Sequence, residues 1–240
     1  MNYLQLTDRS TFATEEACLA KSFGEGNYVP FYAKELIQGR IKPNRGDFVA
    51  GGLQVTLLAL KRMGIEYHND DYPTALAEYL RRNIWKSDLK TIRRQVELDE
   101  CISPIFIKPA NRVKRFTGLV VSNRDDMAPI THIGGNLDLH CSDLVQWISE
   151  YRVPVIQGEI QGYFWYSGDR SVSVDASVVE RMVGDYTASP SAYCLDVGVL
   201  DSGETALVEM NDAFSIGLYD GMECCYSRLL TTRWNELTSG

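Results

Sequence analysis

Val208-Glu209-Met210-Asn211-Asp212 closes an apolar run that begins at Ala206. Tyr193-Cys194-Leu195-Asp196-Val197 precedes it, and Ser215-Ile216-Gly217-Leu218-Tyr219 follows. Residues i and i+2 of a strand point to the same face, so Glu209 and Asn211 set a carboxylate and a side-chain amide side by side. Asp196, on the strand before, can add a third oxygen. A few oxygen donors, with positions left for water and phosphate, suit magnesium. The alternative reading is the polar rim of a hairpin. Against it, Ala206-Leu207-Val208 running straight into Glu-x-Asn-Asp is a poor design for a plain turn.

Outward from this stretch, the texture is strands and turns. Residues 192–200 and 206–210 read as a hairpin around Asp201-Ser202-Gly203-Glu204. Residues 151–156 and 160–166 flank Gln157-Gly158-Glu159, a second hairpin signal. Asp175 is placed to cap a helix through Val178, Val179 and Met182. Residues 223–237 read as a closing helix, and 104–109 and 117–122 as strands. Earlier, residues 46–50 form a short strand ending in Gly51-Gly52. A helix follows over 53–63, with Gly64 as its C-cap. Residues 65–68 read as the next strand, which predicts a βαβ unit and a parallel sheet. Gly51-Gly52 could approach a phosphate at a helix start, but it lacks the full Gly-rich fingerprint and is read as a tight turn instead. Pro73 opens a helix with Ala75, Leu76, Tyr79 and Leu80 on one stripe. Arg81, Arg82, Lys86, Lys90, Arg93 and Arg94 then read as a solvated helix face. The change of texture near residue 95 divides residues 1–95 from 96–240.

The chain has 240 residues, 45% of them hydrophobic and 23% charged, with a formal net charge of −8. That is globular composition. The acidic balance argues against non-specific nucleic-acid binding, which needs Lys and Arg to neutralise phosphates; a local basic patch around Arg112, Lys114 and Arg115 stays open. The six cysteines show no CxxC spacing and the three histidines are scattered, so neither a disulfide framework nor a zinc site is visible. No stretch has the length of a membrane span, and Met1-Asn2-Tyr3-Leu4 opens no signal segment. The expectation is a soluble, cytoplasmic protein of undetermined oligomeric state.

Three cations stand out. Lys108 ends the apolar strand Ile105-Phe106-Ile107, where a charge needs a negative partner. Lys114 follows six residues later across a loop, so the two can bracket a triphosphate; each alone also reads as a surface lysine. Arg152 alternates with apolar neighbours and suits bidentate binding of phosphate or carboxylate, or else an internal ion pair with Glu150 or another acid.

Together these pieces resemble the ATP-grasp superfamily, and within it the compact phage or bacterial clade named for one key arginine and two key lysines. The resemblance spans about residues 45–225. It rests on Phe106-Ile107-Lys108-Pro109, Lys114-x-Phe116-Thr117-Gly118, Ser149-Glu150-Tyr151-Arg152-Val153, Asp196-Val197-Gly198 and Val208-Glu209-Met210-Asn211-Asp212 with its continuation to Tyr219. Asp71-Tyr72-Pro73 and the helix after it resemble the domain that precedes the catalytic core. The resemblance implies an α+β fold in which two α+β subdomains clamp ATP, preceded by a small α/β domain. It implies that Lys108 and Lys114 contact phosphates, that Asp196, Glu209 and Asn211 hold Mg2+, and that Arg152 stabilises the transferred phosphoryl group. Leu139, His140, Cys141 and Asp143 fall where the family's hinge reads adenine, with Asp143 as a ribose ligand. Pro154 departs from the family's apolar strand residue and suggests an edge or bulge. The implied activity is an ATP- and Mg2+-dependent carboxylate–amine ligase acting on an amino acid, peptide or protein terminus. The alternatives are a phosphotransferase on the same scaffold and a non-catalytic nucleotide-binding accessory protein. The 112–118 loop is the expected lid. Arg40, Lys42 and Arg45 are candidates for the acceptor pocket, with nothing to select among them.

Overall fold

The computed structural model describes residues 1–68, 70–98, 103–110 and 115–239. Lys114, Arg112 and Cys101 lie outside the described residues, and so does the first part of the expected lid. In chain order the elements are β1 (Asn2–Leu6), α1 (Thr14–Phe23), β2 (Val29–Tyr32), α2 (Ala33–Ile37), β3 (Phe48–Ala50) and α3 (Leu53–Arg62). A 3-10 turn (Thr74–Tyr79), β4 (Ile84–Asp88), α4 (Leu89–Glu97), β5 (Ile105–Pro109) and β6 (Leu119–Val121) come next. After a second 3-10 turn (Asp125–Ile130) follow β7 (Asp138–Asp143), β8 (Trp147–Ile156), β9 (Glu159–Ile160), β10 (Phe164–Gly168) and α5 (Ala176–Asp185). β11 (Ala192–Leu200), β12 (Thr205–Asp212) and α6 (Tyr226–Thr238) complete the chain.

The content is mixed helix and sheet, an α+β protein, and it packs as two units. One unit joins Met1–Tyr79 to Trp147–Gly240; the other is Leu80–Gln146. The division expected near residue 95 instead falls inside α4. That helix cannot be split, because Leu89, Ile92 and Val96 on its apolar stripe all enter the core of the second unit.

The first unit holds two sheets. One is parallel, in the order β2-β1-β3. The parallel sheet was expected, but residues 65–68 are not one of its strands. Their alternation serves side-chain packing: Ile65 and Tyr67 lie against the core, and the Tyr67 ring meets Phe214 at 4.5 Å. The second sheet is antiparallel, in the order β10-β8-β11-β12, with β9 folding back on β8. Gln157 and Gly158 between β8 and β9 both have positive φ (51° and 79°), as a two-residue hairpin turn of matching twist requires. Pro154 is set in β8 opposite Cys194 of β11, and Gln161 N donates to its carbonyl at 2.8 Å. Every residue of β11 is buried, so this strand is covered on both faces. On one side Ala192 and Cys194 join the core shared with Leu4, Phe48 and Trp234. On the other, Tyr193 packs edge-on against Tyr186 at 5.4 Å.

The second unit is an antiparallel sheet, β4-β7-β5-β6, with α4 over one face. The basic run expected as one helix face is divided. Lys86 lies on β4, while Lys90, Arg93 and Arg94 lie on α4. Asp88 makes the break by capping α4, its carboxylate accepting from Thr91 N at 2.9 Å. Likewise the helix expected after Pro73 is a short 3-10 turn that buries Leu76 and Tyr79.

Candidate active site

The antiparallel sheet of the first unit sets four polar side chains in one row. Register places Arg152 of β8 opposite Asp196 of β11, and Asp196 opposite Glu209 of β12. Asn211, two residues beyond Glu209, pairs with Cys194. An irregularity after Asp196, where Val197 faces Leu207, keeps Glu209 aligned with Asp196 and leaves Val208 as the extra residue.

Arg152 binds Asp196 through two parallel hydrogen bonds. Nε donates to Oδ1 at 2.8 Å and Nη2 to Oδ2 at 2.7 Å. Both residues are buried, at 6% and 3% exposure. Burial alone would lower the pKa of Arg152; the charge and hydrogen bonds of Asp196 outweigh it and hold the guanidinium charged. The guanidinium also lies over the Tyr219 ring at 4.3 Å, and that ring stacks on Tyr166 at 4.9 Å. Tyr166 in turn donates to Glu150 Oε2 at 3.1 Å. Arg152 is thus fixed in its own plane by a carboxylate and across its face by an aromatic ring.

Asn211 ties the carboxylates together. Its Nδ2 donates to Asp196 Oδ2 and to Glu209 Oε1, both at 3.1 Å. With the amide nitrogen turned to the acids, the amide oxygen is the ligand it offers elsewhere. Burial pushes Asp196 up from the usual carboxylate range; Arg152 opposes this, and Glu209 and Glu150 add to it. Two carboxylates plus an amide oxygen are ligands that a hard divalent cation accepts. The residues therefore fit magnesium. Among the described residues, no group of three or more His, Cys, Asp or Glu side chains is placed to hold a metal ion.

The second unit carries the remaining expected residues. Lys108 sits on β5, opposite His140 of β7. Leu139, His140, Cys141 and Asp143 belong to β7, which is a central strand paired on one side with β4 and on the other with β5. The expectation that residues 139–141 read adenine through their main chain is corrected here, because their backbone groups are committed to the two ladders and Leu139 and Cys141 are fully buried. Asp143, at the end of β7, is exposed, and its Oδ2 accepts from Asn83 N (3.1 Å) and Nδ2 (2.7 Å). The unpaired stretch begins one residue later, at Leu144.

Reading the sequence named Glu150 only as an alternative ion-pair partner for Arg152 and gave Tyr166 and Tyr219 no role in the site. Glu150 had a signal, since it lies two residues before Arg152 on one strand. The tyrosine stack had none, because Tyr219 reaches the site from a loop.

No curated protein matches the chain in sequence. Several solved structures share its fold at low identity. An ATP-grasp RimK domain protein from Sphaerobacter thermophilus DSM 20745 has a TM-score of 0.56 at 12% identity, covering 100% of each chain. N5-carboxyaminoimidazole synthetase from Staphylococcus aureus has a TM-score of 0.57 at 9% identity, over 98% of this chain and 77% of the other. D-alanine–D-alanine ligase from Bacillus anthracis, complexed with ATP, has a TM-score of 0.52 at 12% identity, over 99% and 94%. These likenesses establish the ATP-grasp fold. At the level of sequence, residues 79–229, well over half of the protein, match the ATP-grasp domain of the clade named for one arginine and two lysines, in its family 2, and the chain belongs to that family.

Proposed function

We propose that this protein is an ATP- and Mg2+-dependent ligase that joins a carboxylate to an amine, the substrates being an amino acid, a peptide or a protein terminus. The observation that carries the reading is the row Arg152–Asp196–Glu209–Asn211: a buried, fully oriented guanidinium beside two carboxylates and a side-chain amide. Phosphoryl transfer asks a protein for positioning and charge neutralisation more than for a nucleophile. In the reaction, a substrate carboxylate oxygen attacks the γ-phosphorus and ADP leaves; the amine nitrogen then attacks the acyl carbon and phosphate leaves. Mg2+, when bound, neutralises the phosphate oxygens.

Glu209, Asn211 and Asp196 would hold that ion. Arg152 would face the transferred group, and Asp196 and Tyr219 spare it the entropy of being oriented. Lys108 and Lys114 would neutralise the phosphates. Asp143 would take the ribose, while the main chain from Leu144 onward, beyond the paired part of β7, would meet the base. A cytoplasmic setting accords with the five unbridged thiols of the described residues, and no helix among them is long and apolar enough to cross a membrane.

ADP release, followed over pools of amino acids and peptides with magnesium present, tests the proposal. Glu209→Gln keeps the size and the hydrogen-bonding oxygen but removes a charge. It is expected to lower turnover at least a hundredfold and to weaken magnesium-dependent ATP binding. If calorimetry finds no ATP binding by the unaltered protein with magnesium present, the reading is lost. Mass spectrometry of the products separates an amide from a phosphorylated product, which would mark a phosphotransferase.

A further inference from the structure

The first unit contains a cavity of about 360 Å3 at the carboxyl end of β3, a size ordinary for small-molecule sites. It opens where Ala50-Gly51-Gly52 leaves β3. Because β1 lies between β2 and β3, the chain order reverses at this edge, and ligands of open parallel sheets collect at such reversals. Leu19, Leu53, Phe214 and Ile216 give the cavity apolar walls. Glu15 and Glu16, in the first turn of α1, are its charged lining among the described residues. None of Arg40, Lys42 and Arg45 reaches it.

Glu16 is the informative side chain. It lines the cavity at 7% exposure, and its hydrogen bond is to its own backbone N–H, with no partner from another residue among the described ones. Helix α1 does not require this. A first-turn glutamate favours the helix dipole equally well from an exposed position, whereas here burial pushes its carboxyl up and Glu15 adds repulsion. An unpaired acid with a second acid beside it in a recess wants a cation. The recess also adjoins the carboxylate row. Gly217 forms part of its wall, a methyl on Gly217 would stand 3.9 Å from Glu15 Oε1, and the Gly217 carbonyl accepts from Arg152 Nη1 at 3.4 Å.

We propose that this cavity binds an ammonium-bearing organic substrate, the terminal residue of an amino acid or peptide, with the ammonium group at Glu15 and Glu16 and the carbon skeleton against the apolar walls. Its place beside Arg152 as a substrate site rests on the ligase reading; the binding itself does not.

The test is calorimetry on the full chain, without nucleotide, using amino-acid amides across the common side chains and their N-acetyl counterparts. Amides keep the ammonium and lack the carboxylate; acetylation removes the charge. At least one amide is expected to bind, with its acetyl counterpart at least tenfold weaker. Glu16→Gln and Glu15→Gln are each expected to weaken that amide at least tenfold while magnesium–ATP binding persists. Gly217→Ala adds a methyl where the backbone has room and is expected to weaken the larger amides most. Binding by no amide, equal binding of an acetylated form, or unchanged binding by both glutamine variants would overturn the proposal. Should the Glu16 variant fail to fold, the comparison of amide with acetylated form on the unaltered protein still decides. Loss of ATP binding alone would count against the ligase reading and not against this site.

Discussion

Truncating Arg152 would strand Asp196 as an uncompensated acid within the sheet. Breaking a buried pair in this way costs about 3–5 kcal/mol, most of it from the charge left behind. Arg152→Ala is therefore expected to unfold at markedly lower denaturant concentration than the unaltered protein, and Arg152→Ala/Asp196→Ala to recover part of the loss. Additive losses in the double variant would show that the two side chains are not energetically coupled. Arg152→Lys keeps the charge but not the planar fork, so it should retain more stability than activity. These residues differ in how legible they were. Glu209 and Asn211 could be placed on one face from strand periodicity alone. The Arg152–Asp196 pair could not, because it depends on the register between β8 and β11, and a one-residue slip would turn either side chain to the opposite face.

Gly198 shows why the β8–β11 ladder is tight beside the candidate site. A Cβ there would stand 2.5 Å from Trp147 Cε3 and 2.8 Å from the Ser149 carbonyl oxygen. Gly198→Ala must push main chain apart, and a cost of about 1–3 kcal/mol is expected from over-packing, read as a lower melting temperature. A second element-level link joins the 3-10 turn Thr74–Tyr79 to α5: the Tyr79 hydroxyl donates to Asp185. This hydrogen bond, with burial, raises the Tyr79 hydroxyl from 10 to about 12. A group raised on folding contributes stability that is whole below its unfolded pKa and is lost as pH climbs through the folded one. The stability gap between the unaltered protein and Tyr79→Phe should therefore be wide at pH 8 and narrow between pH 10 and 12. A gap that stays constant in urea titrations across that range would remove the link. Elements marked by local turn chemistry, such as the β11–β12 hairpin and the Asp175-capped α5, were legible in advance. Residues 65–68 were not, because apolar alternation is the same whether a segment joins a ladder or only lays side chains on a core. The basic run 81–94 misled for a related reason: its charge masked the Asp88 cap that divides strand from helix.

At the scale of the molecule, the core of the first unit is built from opposite ends of the sequence. Trp234 of α6 is fully buried, meets Phe48 of β3 edge-on at 5.7 Å, and donates to the Asp47 carbonyl at 2.6 Å. Trp234→Ala should cost about 3–5 kcal/mol. Hydrogen exchange should then quicken at β1 and β3, while the amides of β5 and β7, which have a core of their own, keep their protection. Uniform loss of protection would show that the two units unfold as one. The discontinuity of the first unit was not legible, since the texture of the sequence shifts near residue 95 whereas the packing divides at Tyr79/Leu80 and Gln146/Trp147.

That interleaving has a consequence for how the protein is born. A nascent chain leaves the ribosome amino end first, and domains fold as they emerge. Residues 80–146 come out as one uninterrupted block that can collapse at once. The parallel sheet, although translated before them, must wait with an uncovered flank until α6 has been made.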